Sequence, residues 1–120
     1  MATISKLTLS GSTNGRGIKV TTASPIDGSD TTIHTAVTGT TDTDLVTLFA
    51  YNSDTVDRDL HWGWGGTTMP DDGNIVTIPP KSGLVLVCAD LPLRNSLVIV
   101  ASASAANVIV IYGYVNRIDA

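Results

Sequence analysis

The segment Asn107-Val108-Ile109-Val110-Ile111-Tyr112-Gly113-Tyr114-Val115 decides the fold. Successive side chains of an extended chain point to opposite faces. Val108, Val110, Tyr112 and Tyr114 therefore share one side, and Ile109, Ile111 and Val115 the other. β-branched and aromatic residues at this density fit a pleated sheet better than a helix. Just upstream, residues 96–103 read as a second strand, with Ser104 to Ala106 as the turn between them. Residues 97–115 are apolar enough to raise a membrane span. Ser102, Ser104 and Asn107 interrupt the run, however, well short of the ~20 apolar residues that a spanning helix needs. Two strands and a turn are expected, and no membrane.

The same pattern continues toward the N-terminus. Strands are predicted over residues 31–37, 44–52, 57–64, 74–79 and 83–89. Turn chemistry separates them at Asn52-Ser53-Asp54, Gly65-Gly66, Pro70-Asp71-Asp72-Gly73 and Lys81-Ser82-Gly83, with a further turn from Asp90 to Asn95. Before residue 31 the patterning weakens. Ile4, Leu7 and Leu9, then Ile18 and Val20, stand among Gly, Ser and Thr. Residues 1–30 are therefore either an extended N-terminal arm or edge strands.

Composition agrees with an all-β chain. All 11 acidic residues among the 120 are Asp, and there is no Glu and no Gln, so good helix formers are scarce. Thr, Val and Ile supply about a third of the chain. The expected fold is a single jelly-roll-like antiparallel β-sandwich of about eight strands, one domain spanning residues 1–120. Charged residues are only 15% of the chain and the net charge is −4. The seven basic residues are scattered from Lys6 to Arg117, whereas phosphate-backbone binding needs neighbouring cations, so no nucleic-acid partner is expected. A lone cysteine, Cys88, forms no internal disulfide.

Strand faces say more. In 57–64 one side carries Arg58, Leu60, Trp62 and Trp64, and the other Asp57, Asp59, His61 and Gly63. Three strands are apolar on both sides instead. Residues 44–52 set Val46, Leu48 and Ala50 against Leu45, Phe49 and Tyr51. Residues 83–89 set Leu84, Leu86 and Cys88 against Val85, Val87 and Ala89. The third is 107–115. A sandwich needs one apolar face per strand, so the second faces call for a cover. The N-terminal third is one candidate, and a second subunit the other and preferred one.

Few residues carry an obvious chemistry. His34, His61 and Cys88 are the only soft metal ligands, far apart in sequence and without zinc-site pairing. Asp54, Asp57, Asp59, Asp71 and Asp72 lie in or beside loops but do not follow a calcium-loop spacing. Neither set predicts a metal, and no cofactor is expected. No Gly-x-Ser-x-Gly elbow is present, and Gly11 to Gly17 lacks the lysine of a phosphate loop. The expectation is a protein without enzymatic activity. Trp62 and Trp64, beside Asp59 and His61, are the candidate ligand face, of the kind that stacks on sugar rings. Their shared side with Leu60 favours core packing instead.

From residue 31 onward the chain resembles small structural proteins of tailed bacteriophages, most of all head decoration (cement) proteins. The resemblance rests on Thr31-Thr32-Ile33-His34-Thr35-Ala36, the strand from Leu45 to Asn52, Trp64-Gly65-Gly66-Thr67-Thr68 before Pro70-Asp71-Asp72, and Ile78-Pro79-Pro80-Lys81-Ser82-Gly83. The closing phrase is Ile111-Tyr112-Gly113-Tyr114-Val115-Asn116-Arg117-Ile118. It covers residues 31–118 and carries no functional residue. It implies a protein made in the host cytoplasm and placed on the capsid surface of the virion, as a homotrimer bound to the major capsid protein. The alternative is a carbohydrate-binding or receptor-binding module of a virion neck, tail or fibre. On the decoration reading, Ile4, Leu7 and Leu9 are the candidate capsid-contacting residues of an N-terminal arm. Deleting residues 2–16 is then expected to leave a folded oligomer that attaches poorly.

Overall fold

A computed structural model describes residues 2–23, 26 and 30–120, and these contain nine strands and no helix. In chain order they are β1 (Thr3–Thr8), β2 (Ile18–Lys19), β3 (Thr31–Thr35), β4 (Thr43–Asn52) and β5 (Arg58–Trp64). There follow β6 (Gly73–Ile78), β7 (Val85–Leu93), β8 (Val98–Ala103) and β9 (Ile109–Asp119). The pairing is nested: β5 with β6, β4 with β7, β3 with β8, and β2 with β9, all antiparallel. Such nesting is one long hairpin of four strand pairs. Rolling it so that β4 also meets β9, and β5 also meets β8, splits it into two sheets. Sheet A runs β1-β9-β4-β7 and sheet B runs β3-β8-β5-β6. This is a jelly-roll β-sandwich. β1 and β2 share one edge of sheet A, because β1 pairs with Tyr114 to Asp119 and β2 with Val110 and Ile111 of β9. Nine elements thus fill eight strand positions.

The core lies between the sheets. Val46, Leu48 and Ala50 of β4 and Ile109, Ile111 and Val115 of β9 face Leu60, Trp62, Ile99, Ala101 and Ala103 of sheet B, all buried. Gly113 breaks this apolar series for a steric reason. It sits opposite Leu48, and a side chain there would collide with the Thr47 carbonyl oxygen. The run 97–115 is indeed two strands and a turn. No helix among the described residues is long and apolar enough to cross a membrane.

Two boundaries differ from expectation. The predicted turn from Asp90 to Asn95 is largely strand, since β7 continues to Leu93. Asp90 adopts φ 52° in a region of shifted register, and its N–H donates to Thr47 Oγ1 at 3.1 Å. It marks a bulge that the chain passes through, rather than a turn. Pro92 follows without harm because β7 is an edge strand and needs no N–H there. β9 likewise extends to Asp119.

The opening residues belong to the sandwich. β1 runs six residues along β9, Leu9 is 2% exposed, and Ile18 and Val20 are buried. The described part of residues 1–30 holds the edge strands β1 and β2 with turns and loops around them, and residues 1, 24, 25 and 27–29 lie outside the description. Residues 2–16, expected to be removable without loss of the fold, contribute the β1 ladder and the buried Leu9 to the sandwich. Leu7 packs against that core, whereas Ile4 is 69% exposed.

Candidate functional site

The most polar arrangement inside the sandwich escaped the sequence reading. His34, at 1% exposure, and Asp44, at 0%, sit at the end of the core where β3 and β4 come together. His34 Nε2 donates to Asp44 Oδ2 at 2.8 Å, and the Ser10 N–H donates to Nδ1 at 3.0 Å. An amide N–H can only donate, so Nδ1 is the acceptor and Nε2 carries the proton. Arg117 lies directly across from Asp44 on β9. Its Nε donates to Asp44 Oδ1 at 2.7 Å and its Nη2 to Oδ2 at 3.1 Å, and Val37 N–H adds a further bond to Oδ2 at 3.1 Å. Burial alone would raise the Asp44 pKa. The hydrogen bonds from Arg117 and His34 and the charge of Arg117 outweigh it and hold the carboxyl below its ordinary value. Asp44 in turn raises Arg117 above its usual range.

Ser10, His34 and Asp44 have the composition of a nucleophilic triad but not its geometry. The Ser10 hydroxyl oxygen accepts the Thr35 N–H at 2.7 Å, and it is the Ser10 backbone that meets the imidazole. The cluster is a structural clamp that ties β3, β4, β9 and the loop after β1.

The residues singled out in sequence separate in space. His61 and Asp59 lie on the outer side of β5, away from Trp62 and Trp64. Asp59 Oδ1 accepts from Thr77 Oγ1 at 2.9 Å. Trp62 is 7% exposed and packs edge-on against Trp64, with centroids 5.6 Å apart at 88°. Trp64 is half-buried and donates Nε1–H to the Pro92 carbonyl at 3.2 Å. The pleat thus divides the candidate sugar face, putting its aromatic half inside. Asp54 is held below its usual pKa by the Thr55 N–H and by Arg58, whose Nη2 is 2.7 Å away. Asp72 Oδ2 accepts the Thr68 N–H at 2.9 Å in the loop after β5. These aspartates fasten their own turns. Among the described residues no three His, Cys, Asp or Glu side chains gather as a metal-binding group. Cys88 packs against the core, and burial pushes its thiol up to about 11.

Two depressions exist near the end of β7. One of about 190 Å³ lies between Gly65-Gly66 and Leu97, and one of about 460 Å³ between Thr40 and Arg94. Neither collects convergent polar groups of the kind a small-ligand site presents. The exposed surface offers more. Leu84 and Leu86 are 54% and 55% exposed beside Phe49 and Tyr51 on the outer side of sheet A. Exposed large apolar groups also stand elsewhere on the molecule, at Val56, Ile75 and Leu97. Compared with protein-family models, curated proteins and solved structures, the chain matches none.

Proposed function

We propose that this chain is a non-enzymatic head decoration (cement) protein of a tailed bacteriophage, bound to the outer face of the capsid as a homotrimer. The observation that carries the reading is the apolar outer side of sheet A, half-buried at its centre and more than half exposed at Ile4, Leu84 and Leu86, on a jelly-roll sandwich whose buried His34–Asp44–Arg117 cluster serves as a clamp. Its work is mechanical. Each copy bridges neighbouring major capsid subunits, so expansion or rupture of the shell must also break these contacts. An acidic net charge of −4 suits a protein partner rather than the packaged genome. The resemblance of residues 31–118 to small structural proteins of tailed bacteriophages supports a place on the virion. The alternative, a carbohydrate-binding module of a neck, tail or fibre, loses support because Trp62 lies in the core.

The test is sedimentation of the purified chain with undecorated heads of the phage that encodes it. Saturable co-sedimentation, with heads that then withstand heat better, is expected. Absence of binding, or binding only to tails, would sink the reading.

A further inference from the structure

The two sheets present different surfaces. The outer side of sheet B carries Thr32, Thr35, His61 and Thr77 together with the aliphatic Ile75, Val98 and Val100, and no aromatic ring. The outer side of sheet A carries Leu45, Phe49 and Tyr51 of β4, and Val110, Tyr112 and Tyr114 of β9. Leu86 stands opposite Phe49 at one edge, and Ile4 opposite Ile118 at the other. The N-terminal segment screens only part of this face. Gly17 lies against Val110 and Tyr112, and Lys6 Nζ sits 4.6 Å over the Tyr114 ring. Leu84, Leu86 and Ile4 remain more than half exposed.

Charge on this sheet is distributed by edge. Its strands carry Lys6, Lys19, Asp44, Asp90, Arg117 and Asp119. Asp44 and Arg117 pair on the inner side, and Asp119 acts on Arg117. That leaves Lys6 and Lys19 on the β1/β2 edge strands and Asp90 on the β7 edge strand, while Lys81 and Arg94 lie in the loops that flank β7, Arg94 turned onto the Thr40 carbonyl. A surface with cations at one edge and an anion at the other is complementary to itself. Four strand positions and about ten residues of length give roughly 20 by 33 Å from strand spacing and rise. That is about 650 Å² in projection, close to the ~800 Å² per partner of a standard interface.

We infer that the outer face of sheet A is the contact surface for a second copy of this chain, with the Lys6/Lys19 edge of one copy against the Asp90 edge of the next. A two-fold pair and a three-fold ring both satisfy the pattern, since each copy offers one edge and receives the other. The inference deepens the trimeric part of the proposed function but does not use the capsid.

Sedimentation equilibrium of the full chain tests it, with three variants: Lys6→Asp/Lys19→Asp, Asp90→Lys, and all three changes together. The wild type should exceed 12.5 kDa at micromolar concentration. Each partial reversal should weaken association about tenfold or more, and the triple variant should recover most of the loss, as paired charge swaps do. A wild-type monomer at about 100 µM, a range that reaches even weak association, would overturn the inference. So would partial reversals without effect, or a triple variant no better than they are. Should a variant fail to fold, concentration-dependent hydrogen exchange of the wild type decides. Protection rising with concentration at residues 84–87 supports the inference, and protection rising only elsewhere refutes it. An oligomer through this face that ignores phage heads would defeat the decoration reading and leave this one standing.

Discussion

Replacing Asp44 with Asn removes one charge and changes almost no volume, so it isolates the electrostatics of the buried clamp. Asp44 accepts four hydrogen bonds, from His34, Val37 and twice from Arg117. An amide offers one oxygen. In its better orientation that oxygen keeps His34, Val37 and Arg117 Nη2, and the new NH₂ then confronts Arg117 Nε, donor against donor. Breaking a buried ion pair costs about 3–5 kcal/mol. The Arg117 side chain retains 29% exposure and can turn partly to water, which favours the lower end, about 3 kcal/mol. With an unfolding entropy of ~2.1 cal/mol/K per residue over 120 residues, that is a fall in Tm of about 12 °C. The effect depends on pH in a defined direction. The folded Asp44 pKa is depressed, so its contribution is complete above the unfolded carboxylate value of ~3.9 and is lost as pH falls through the folded value. Thermal denaturation of both proteins at neutral pH and again in acid reads both quantities. The gap should be widest near neutrality and close in acid. A fall of less than about 3 °C at pH 7, under 1 kcal/mol on the same scale, or a gap that does not narrow in acid, would refute the reasoning.

Deleting residues 2–9 removes the β1 ladder and the buried Leu9 together. It should cost at least the ~2–5 kcal/mol of a core leucine truncation. An unchanged urea midpoint would contradict that. With its pKa raised to about 11 by burial, the Cys88 thiol should react with a disulfide reagent at pH 7.5 roughly two orders of magnitude more slowly than a free thiol. Addition of urea should release the normal rate, and native-state labelling at the free-thiol rate would count against it. Chelator should leave Tm unchanged. A bound ion at 100 times its dissociation constant would add about 2.7 kcal/mol, so a drop of several degrees would reveal one.

Much of the fold is legible in the alternation of residues 31–115, because a strand that packs on a sheet must repeat every second residue. The first third was harder. Leu9, Ile18 and Val20 all enter the core, yet Gly-, Ser- and Thr-rich stretches separate them, and no run is long enough to show a period. Asp90 reads as a turn residue because nothing local reveals that Thr47 would receive its N–H. The clamp needed long-range information, since Asp44 and Arg117 are 73 residues apart and meet only through the β4–β9 register. One signal was present. Asp44 shares the face of Val46, Leu48 and Ala50, and Arg117 that of Ile111 and Val115, so each strand carries a charge of opposite sign at the end of its buried face. The split of Trp62 and Trp64 from Asp59 and His61 was visible in the pleat alone.

The most direct test of the decoration account is to image intact virions after labelling with antibody raised against this chain. The account predicts dense, regular label over the head surface and none on the tail. Label confined to neck, tail or fibre, or no label on the virion at all, would contradict it.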